Sequence, residues 1–421
     1  MYTKKMKKRL IFENIFKQKD SNKVSVIIGA RQVGKTTILK SLHKKLKGLF
    51  LDLDIFSNFE KVSTYENFIN TLKIAGYKEK QKNFFYVFLD EFQRYSDITR
   101  IIKNVYDHHK NIKIFATGSS SLGIKNRLQE SLSGRKIITN VYPLNFEEFL
   151  IFKDQKKLLF KIKNLMTISS ENYLFLIPKL DYFLNEFLIF GGYPEVVLEK
   201  DQQKKISILA SIFDLYVKKD LVDYLKIEKI SQAKILIEKL AINHGGITNY
   251  SELAMISNLD IKTIKNYLYI LEETFLISIL KPFFRNKNKE ISKAPKIYFI
   301  DNGVRNYFFN NFNNLSIRND NGVLFESFYI GEILKRGEKS NHLKYYRSKQ
   351  KLEVDLILDR ISEILPIELK FRKSIIKNKD INSLNKFISQ YNIKKAYLVS
   401  LQKVGLKNKF INMIDCFNKY F

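Results

Sequence analysis

The sequence predicts an α/β protein, with a parallel sheet and phosphate-binding loop first, a mostly helical middle, and a second α/β segment last. Three observations predict it. The apolar run Val24 to Ile28 leads into Gly29-Ala30-Arg31-Gln32-Val33-Gly34-Lys35-Thr36, which meets the pattern G-x-x-x-x-G-K-[ST] at every fixed position. The run Phe84 to Leu89 is continuously apolar and ends in Asp90-Glu91, as a strand buried on both faces does. Near the carboxyl end, Leu352 to Leu358 and Leu365 to Lys370 alternate as two strands around a short polar turn.

Each residue type in the loop has a physical task. Glycines at 29 and 34 let the backbone curl, so that amides from Gly29 through Thr37 can face one phosphate. Lys35 reaches the outer phosphates of a nucleoside triphosphate, and the Thr36 hydroxyl completes the shell of a magnesium ion. The helix-like run Thr37 to Leu46 presents its positive end to the same anion. ATP and magnesium are the expected ligands.

Asp90 and Glu91 end the next buried strand, where ligands bind in open α/β sheets. Asp90 is expected to hold the magnesium and Glu91 to orient and activate the attacking water. A third strand, Ile112 to Thr117, ends in Gly118-Ser119-Ser120-Ser121, and Ser119 is the candidate small polar residue near the terminal phosphate. Asp52 and Asp54, at the end of the strand Leu49 to Leu53, are read as structural.

Composition sets the frame. A chain of 421 residues, 45% of them hydrophobic, is long enough for two or three folded domains. A single cysteine, Cys416, cannot form an internal disulfide and suits a reducing compartment. No apolar run approaches the roughly eighteen residues of a membrane span. The basic stretch Met1 to Arg9 precedes no signal-peptide core, so a cytoplasmic protein is expected. Lys and Arg number 73 against 43 Asp and Glu, a net charge of +30 that favours polyanionic partners, nucleic acid above all. The charge is spread along a chain also rich in Asn and Ile, as AT-rich codons would give, so it is weak on its own.

The loop GARQVGKTT, the acids of FLDEFQR, ATGSSS, and SGR followed by YPLNFEEFL together resemble the AAA-type ATPase core of a prokaryotic family. That core is followed in the family by a carboxyl-terminal domain of unknown function. The resemblance continues through Gly191-Gly192-Tyr193-Pro194-Glu195, Tyr216 to Leu221, KIYFIDNGVRNYF at 296–308, and the late EVD and IELK. It implies that Arg135 is an arginine finger, often supplied by a neighbouring subunit of a homo-oligomer, with Arg127 as its rival. Asn145 and Glu148 read as a capping box opening the helix Phe146 to Phe152.

From Leu158 to about Leu240 the pattern is mostly helical, broken at Gly191-Gly192-Tyr193-Pro194, a candidate hinge. A short helix Tyr250 to Ile256, a turn at Ser257 to Asp260 and a second helix Ile261 to Thr274 follow. Strands Leu276 to Phe284 and Lys296 to Ile300, joined by Arg285-Asn286-Lys287-Asn288-Lys289, complete the layout of a winged helix-turn-helix. Its second helix would carry Lys262, Thr263, Lys265 and Asn266 into a DNA groove, while Arg285 and the hairpin lysines grip phosphates. Packing or protein contact is the alternative use of such a module.

In the last segment, alternation puts Glu368 and Lys370 on one strand face. A hairpin across 359–364 sets Asp355 opposite Glu368. Glu326, in the helix-like stretch Leu324 to Leu334, is a possible third acid. Acids that hold a metal and a lysine that neutralises charge are what a magnesium-dependent nuclease needs. The pattern resembles the restriction-endonuclease-like superfamily, with Val354 where that motif has proline. An ion-paired strand face on an inactive nuclease-like fold is the alternative.

The expected order is thus an ATPase core at 1–155, a helical lid at 156–240, a winged helix at 241–312 and a restriction-endonuclease-like domain at 313–421. The expected function is magnesium-dependent ATP hydrolysis coupled to DNA binding or processing. The alternatives are an ATP-gated nuclease and a non-catalytic ATP-dependent switch.

Overall fold

The computed structural model describes residues 7–95, 97–119, 130–163, 170–217, 221, 229–372, 378–401 and 411–416. Packing divides the chain into two compact units. The first comprises Met1–Pro143, Asp214–Glu228 and Glu273–Phe275, and the second Leu144–Phe213, Lys229–Glu272 and Leu276–Phe421.

In the first unit five strands form one parallel sheet. These are β1 (Val24–Gly29), β2 (Leu49–Asp52), β3 (Phe85–Asp90), β4 (Ile112–Ser119) and β5 (Lys136–Val141). Their order is β2-β3-β4-β1-β5, and every pairing is parallel. Each residue of β1 and β4 is buried, which explains why neither strand alternates polar with apolar residues: a strand covered on both faces has no solvent side. Helices α1 (Ile11–Phe16), α2 (Lys35–Leu46), α3 (Tyr65–Ile74) and α4 (Ile98–His108) belong to this unit. On α4 the buried Ile98, Ile101, Ile102 and Val105 recur at helical spacing. Among the buried polar residues of β1 and β4, Ser25, Lys113, Thr117 and Ser119, the lysine stands apart. Lys113 of β4 is fully enclosed, its ammonium donating to the Lys23 carbonyl and the Ser25 hydroxyl, and desolvation pulls its pKa down to about 7.

The second unit opens with α5 (Phe146–Phe152). The Asn145 side chain accepts from the Glu148 N–H and the Glu148 side chain from the Asn145 N–H, the reciprocal cap that the sequence predicts. A long helix, α6 (Ser170–Phe190), ends at Gly191. Rather than an open joint, Gly191 to Tyr193 is buried, and the Asp301 carboxylate accepts from the Gly192 N–H at 2.7 Å. Gly191 has φ +74°, and a Cβ there would lie 2.0 Å from Asp301 Oδ1, so no larger residue fits. Two of the family-like motifs, GGYP and FIDNG, therefore meet at one carboxylate.

Helices α7 (Ile230–Ile242), α8 (Tyr250–Ser257) and α9 (Ile261–Glu273) follow. Asn258 turns the chain between α8 and α9 in left-handed geometry, and the Asp260 side chain accepts from the Thr263 N–H, capping α9. The buried Ile264, Leu268 and Leu271 form the inward face of α9. Next come β6 (Ile277–Pro282), α10 (Lys287–Ser292), β7 (Lys296–Phe299), α11 (Asn302–Phe308) and α12 (Asn321–Lys335). The chain ends through β8 (Leu343–Arg347), β9 (Glu353–Asp359), β10 (Ile364–Lys370), α13 (Asn382–Tyr391), β11 (Ala396–Ser400) and β12 (Ile411–Asp415).

All these strands share one mixed sheet ordered β12-β11-β10-β9-β8-β6-β7. The β6–β7 pair expected as a wing is antiparallel, as a hairpin should be. It also joins β8 through Lys281 and Pro282, so it forms the end of the carboxyl-terminal sheet. Its connection contains the helix α10, because Asn286 caps a turn that the basic composition concealed.

Candidate nucleotide site and buried acid cluster

The nucleotide loop spans the end of β1 and the start of α2. Gln32 and Gly34 both have positive φ, and Gly34 is the residue ahead of the first helical turn. Left-handed backbone at these points produces the curl that an anion-binding loop requires. Ala30, Arg31 and Val33 complete the loop, and Thr36 and Thr37 lie in the first turn of α2. Lys35 is buried, with Nζ donating to the carbonyls of Gly29 at 3.0 Å and Ala30 at 2.6 Å. Arg9, just ahead of α1, donates to the Val33 carbonyl and to the Tyr142 carbonyl at 2.9 Å. It ties the loop to the end of β5, a role hidden in the sequence among neighbouring basic residues.

Strand register brings the remaining groups to this edge. Gly29 pairs with Ser119 across β1 and β4, and Leu89 with Ala116 across β3 and β4. Asp90 is buried and accepts from the Thr117 hydroxyl. Glu91 takes left-handed backbone at φ +53°, a conformation costing about 1 kcal/mol or more for a residue with a Cβ. The Gln93 amide donates to the Glu91 carboxylate and, at 3.0 Å, to the Ser119 hydroxyl. Sequence reasoning missed Thr117 and Gln93, although both lie within motifs already singled out, ATGSSS and FLDEFQR.

Asp52 accepts from the Asp54 N–H at 3.0 Å, and Asp54 pairs with Arg94, so both are structural within this strand end. Arg135 stands elsewhere. Its carbonyl accepts from the Val24 N–H at 2.8 Å, at the amino-terminal end of β1, and its Nε donates to Asp107 at 2.7 Å. Val24 and Gly29 are the two ends of β1, about 16 Å apart at the usual rise per residue. Arg135 therefore does not complete its own chain's nucleotide edge. Arg127 and the stretch Lys218 to Asp220 lie outside the described residues.

In the second unit the late acids converge. Pairing Ile367 with Leu356 in the antiparallel β9–β10 ladder carries on to set Glu368 opposite Asp355. Lys370 Nζ donates to Glu368 Oε1, and Asp355 Oδ2 accepts from the Leu369 N–H at 2.8 Å. Glu326 from α12 joins them, accepting from the Tyr298 hydroxyl at 2.9 Å. Burial and the Asp355 charge push the carboxyls of Glu326 up to about 7 and Glu368 up to about 8, and burial raises Asp355 as well. Glu368 Oε2 is buried with no hydrogen-bond partner. Such an atom among mutually repelling carboxylates fits a cation. Among the described residues, though, no group of three or more His, Cys, Asp or Glu side chains is arranged to hold a metal ion.

Two further groups on β7 were not anticipated. Lys296 is buried and paired with Glu353, while its charge also acts on Glu326 and Asp355, and Tyr298 is the partner of Glu326. Their alternation in KIYF signals a shared strand face. Only the sheet order shows which face they meet.

On α9, Lys262, Lys265 and Asn266 are exposed, and Lys265 lies 5.3 Å from the Tyr250 ring centre. Thr263 is occupied in the Asp260 cap, donating its hydroxyl at 2.6 Å. Arg285 packs over the Tyr391 ring and donates to the Tyr391 carbonyl, and Lys287 pairs with Asp359 and Glu290. Arg285 and Lys287 thus have partners within the chain.

Comparison with known proteins agrees with this anatomy. Residues 21–150 match the AAA domain model. Residues 182–315 and 321–416 match two domains of unknown function, DUF8612 and DUF4143. Uncharacterized protein MJ1544 of Methanocaldococcus jannaschii is 31% identical over 396 residues, covering 88% of this chain and 82% of the relative. The chain belongs to this prokaryotic family of AAA-domain proteins. An uncharacterized protein of Haemophilus influenzae is 27% identical over 375 residues, covering 85% of each chain. Among solved structures, the Walker-type ATPase of Pyrococcus abyssi is similar over 72% of this chain and 95% of its own, at 14% identity and a TM-score of 0.48. The family's first unit is a P-loop ATPase fold and its last segment a mixed-sheet domain. Among the described residues, no helix is long and apolar enough to cross a membrane.

The acid cluster has a measurable signature. Between the ordinary carboxyl value of 4.5 and about 8, Glu368 keeps in the folded protein a proton that the unfolded chain has lost. Folding is therefore progressively disfavoured as pH rises through that window. Glu368→Gln removes the titration. Relative to the parent, the variant should gain on the order of 4 kcal/mol between pH 5 and pH 8.5 in urea unfolding. A difference that stays constant with pH would contradict the assignment.

Proposed function

We propose that the protein binds ATP with magnesium at the 29–37 loop, hydrolyses it, and uses the cycle to act on nucleic acid. The observation that carries the hydrolytic part is the meeting of Lys35, Asp90, Glu91 and Ser119 at one edge of a parallel sheet in an AAA-family chain. Lys35 would leave the loop carbonyls for the outer phosphates. Thr36 and Asp90 would hold magnesium, which when bound neutralises charge on the phosphates. Glu91 would orient water for attack on the terminal phosphorus and take its proton. Arg135, on its own chain's far strand end, would serve a neighbouring copy's nucleotide, which makes a homo-oligomer part of the reading.

For nucleic acid, the support is the +30 charge and the exposed Lys262 and Lys265 on α9. DNA is the favoured polymer because α9 follows a helix and a tight turn. Arg285 would reach phosphate only by exchanging its Tyr391 contacts.

The buried acids favour a second reading, in which ATP binding gates metal-dependent phosphodiester cleavage. Asp355 and Glu368 would hold the metal, with Glu326 as third acid. The metal supplies charge stabilisation at phosphate. Lys370 would neutralise developing negative charge, and Lys296 would hold Glu353 and the acid side of the site in place.

Two assays test these readings. Glu91→Gln should keep ATP affinity within a few fold and slow hydrolysis by about 10²-fold or more, while Lys35→Ala should lose binding. Unchanged turnover in Glu91→Gln would remove its assigned role. If the protein cuts DNA with magnesium or manganese, Asp355→Ala should abolish cutting and spare ATP hydrolysis. Cutting that survives Asp355→Ala would exclude this site.

A further inference from the structure

We infer that Gln93 is a positioning residue for ATP hydrolysis, its amide holding the Glu91 carboxylate in register with Ser119. The inference rests on the hydrolytic reading above and adds a residue that neither the loop motif nor the acid pair requires.

Gln93 lies in the single 3-10 turn Phe92–Arg94 that follows Glu91, and its side chain is nine-tenths buried. A primary amide has two N–H donors. Here both are committed, one to Glu91 Oε2 and one to Ser119 Oγ at 3.0 Å. The opposite amide orientation would aim a carbonyl oxygen at a carboxylate, so the network itself fixes which end points where. Ser119 keeps its own hydroxyl hydrogen for another acceptor, and it pairs across the sheet with Gly29, the first loop residue.

The arrangement is not what packing alone would favour. Gln93 Oε1 is buried and has no hydrogen-bond partner, a penalty that an apolar side chain of the same volume would avoid. The neighbouring strand residue leaves it little room. A Cβ on Gly118 would lie 2.7 Å from Gln93 Oε1, so β4 carries glycine beside the amide and serine after it. Glu91 also stands on left-handed backbone, outside the regular strand. Its carboxylate thus has no strand neighbour to fix it, and the Gln93 amide supplies that fixation. A shift of Ser119 toward a phosphate oxygen is transmitted through one shared NH2 group to the general base.

Steady-state ATP hydrolysis and ATP binding, measured on the full chain, test this. Gln93→Ala and the nearly isosteric Gln93→Met should each lower kcat about 10- to 100-fold while KM and ATP affinity stay within about threefold. Because Gln93 and Ser119 act through one link, Gln93→Met with Ser119→Ala should lose little more than the worse single variant. Gln93→Glu sets a second carboxylate beside Glu91, so the acid limb of its kcat profile should move to higher pH, which Gln93→Met should not do. Full kcat in a folded Gln93→Met protein, a raised KM at unchanged kcat, faster turnover than the parent, or additive losses with Ser119→Ala would each overturn the inference. Glu91→Gln in the same series separates the two claims. If it hydrolyses ATP like the parent, the role given to Glu91 in the hydrolytic reading has failed, and with it the premise for Gln93; if it alone is inactive, only the role of Gln93 has.

Discussion

The parallel pairing of β4 between β1 and β3 is the constraint on which the nucleotide edge depends. In parallel strands, residues that pair across neighbours reach the same edge together. Gly29 pairs with Ser119 and Leu89 with Ala116, so the phosphate loop, the Asp90-Glu91 acids and the serine follow at one end of the ladder. Nothing in their sequence separation requires this, since Gly29 and Ser119 are 90 positions apart. The hydrogen bonds of the sheet do the alignment, and the fully buried faces of β1 and β4 hold the register, because a one-residue slip would turn Ser25 and Lys113 against apolar neighbours. Arg9 and Thr117 then secure the loop and Asp90 from behind.

The second unit solves a harder problem with the same means. Antiparallel pairing of β9 and β10 sets Asp355 against Glu368, and the sheet that continues through β8 and β6 to β7 presents Lys296 and Tyr298 to the same acids. Three carboxylates, two lysines and a tyrosine share a buried volume, so protons stay on acids that would be ionised in water. Two other acids of this unit are matched by donors. Asp320 is held down to about 2 by hydrogen bonds from Arg318 and Arg305, and Asp301 closes the Gly191-Gly192 turn through backbone N–H groups. An unmatched Glu368 oxygen stands out against that background.

Local signals carried much of this into the sequence. The loop, the buried strand ending in Asp90-Glu91, the Asn145–Glu148 cap and the alternation at Glu368 and Lys370 all depend on neighbours within a few residues. The periodicity of the two helices α8 and α9 was legible for the same reason. Hidden features were those made by distant partners. The basic stretch after Phe284 reads as an exposed wing, yet Asn286 caps a helix there and Arg285 stacks on Tyr391, more than a hundred residues on. Lys296 and Glu353 look like ordinary surface charges until the sheet brings them together. Gln93 sits inside a legible motif, but its task depends on Ser119 in another strand. The glycines at 191 and 192 suggest a hinge by composition, whereas Gly191 approaches Asp301 closely and Gly192 the Leu144 carbonyl.

Amide hydrogen exchange with and without ATP and magnesium tests the shared-edge account most directly, because it reads each backbone segment separately. Nucleotide should slow exchange together in the loop at 30–36, in the turn at 91–94 and at the end of β4 at 117–119. Protection of the loop without the other two segments, or protection confined to 353–370, would contradict it.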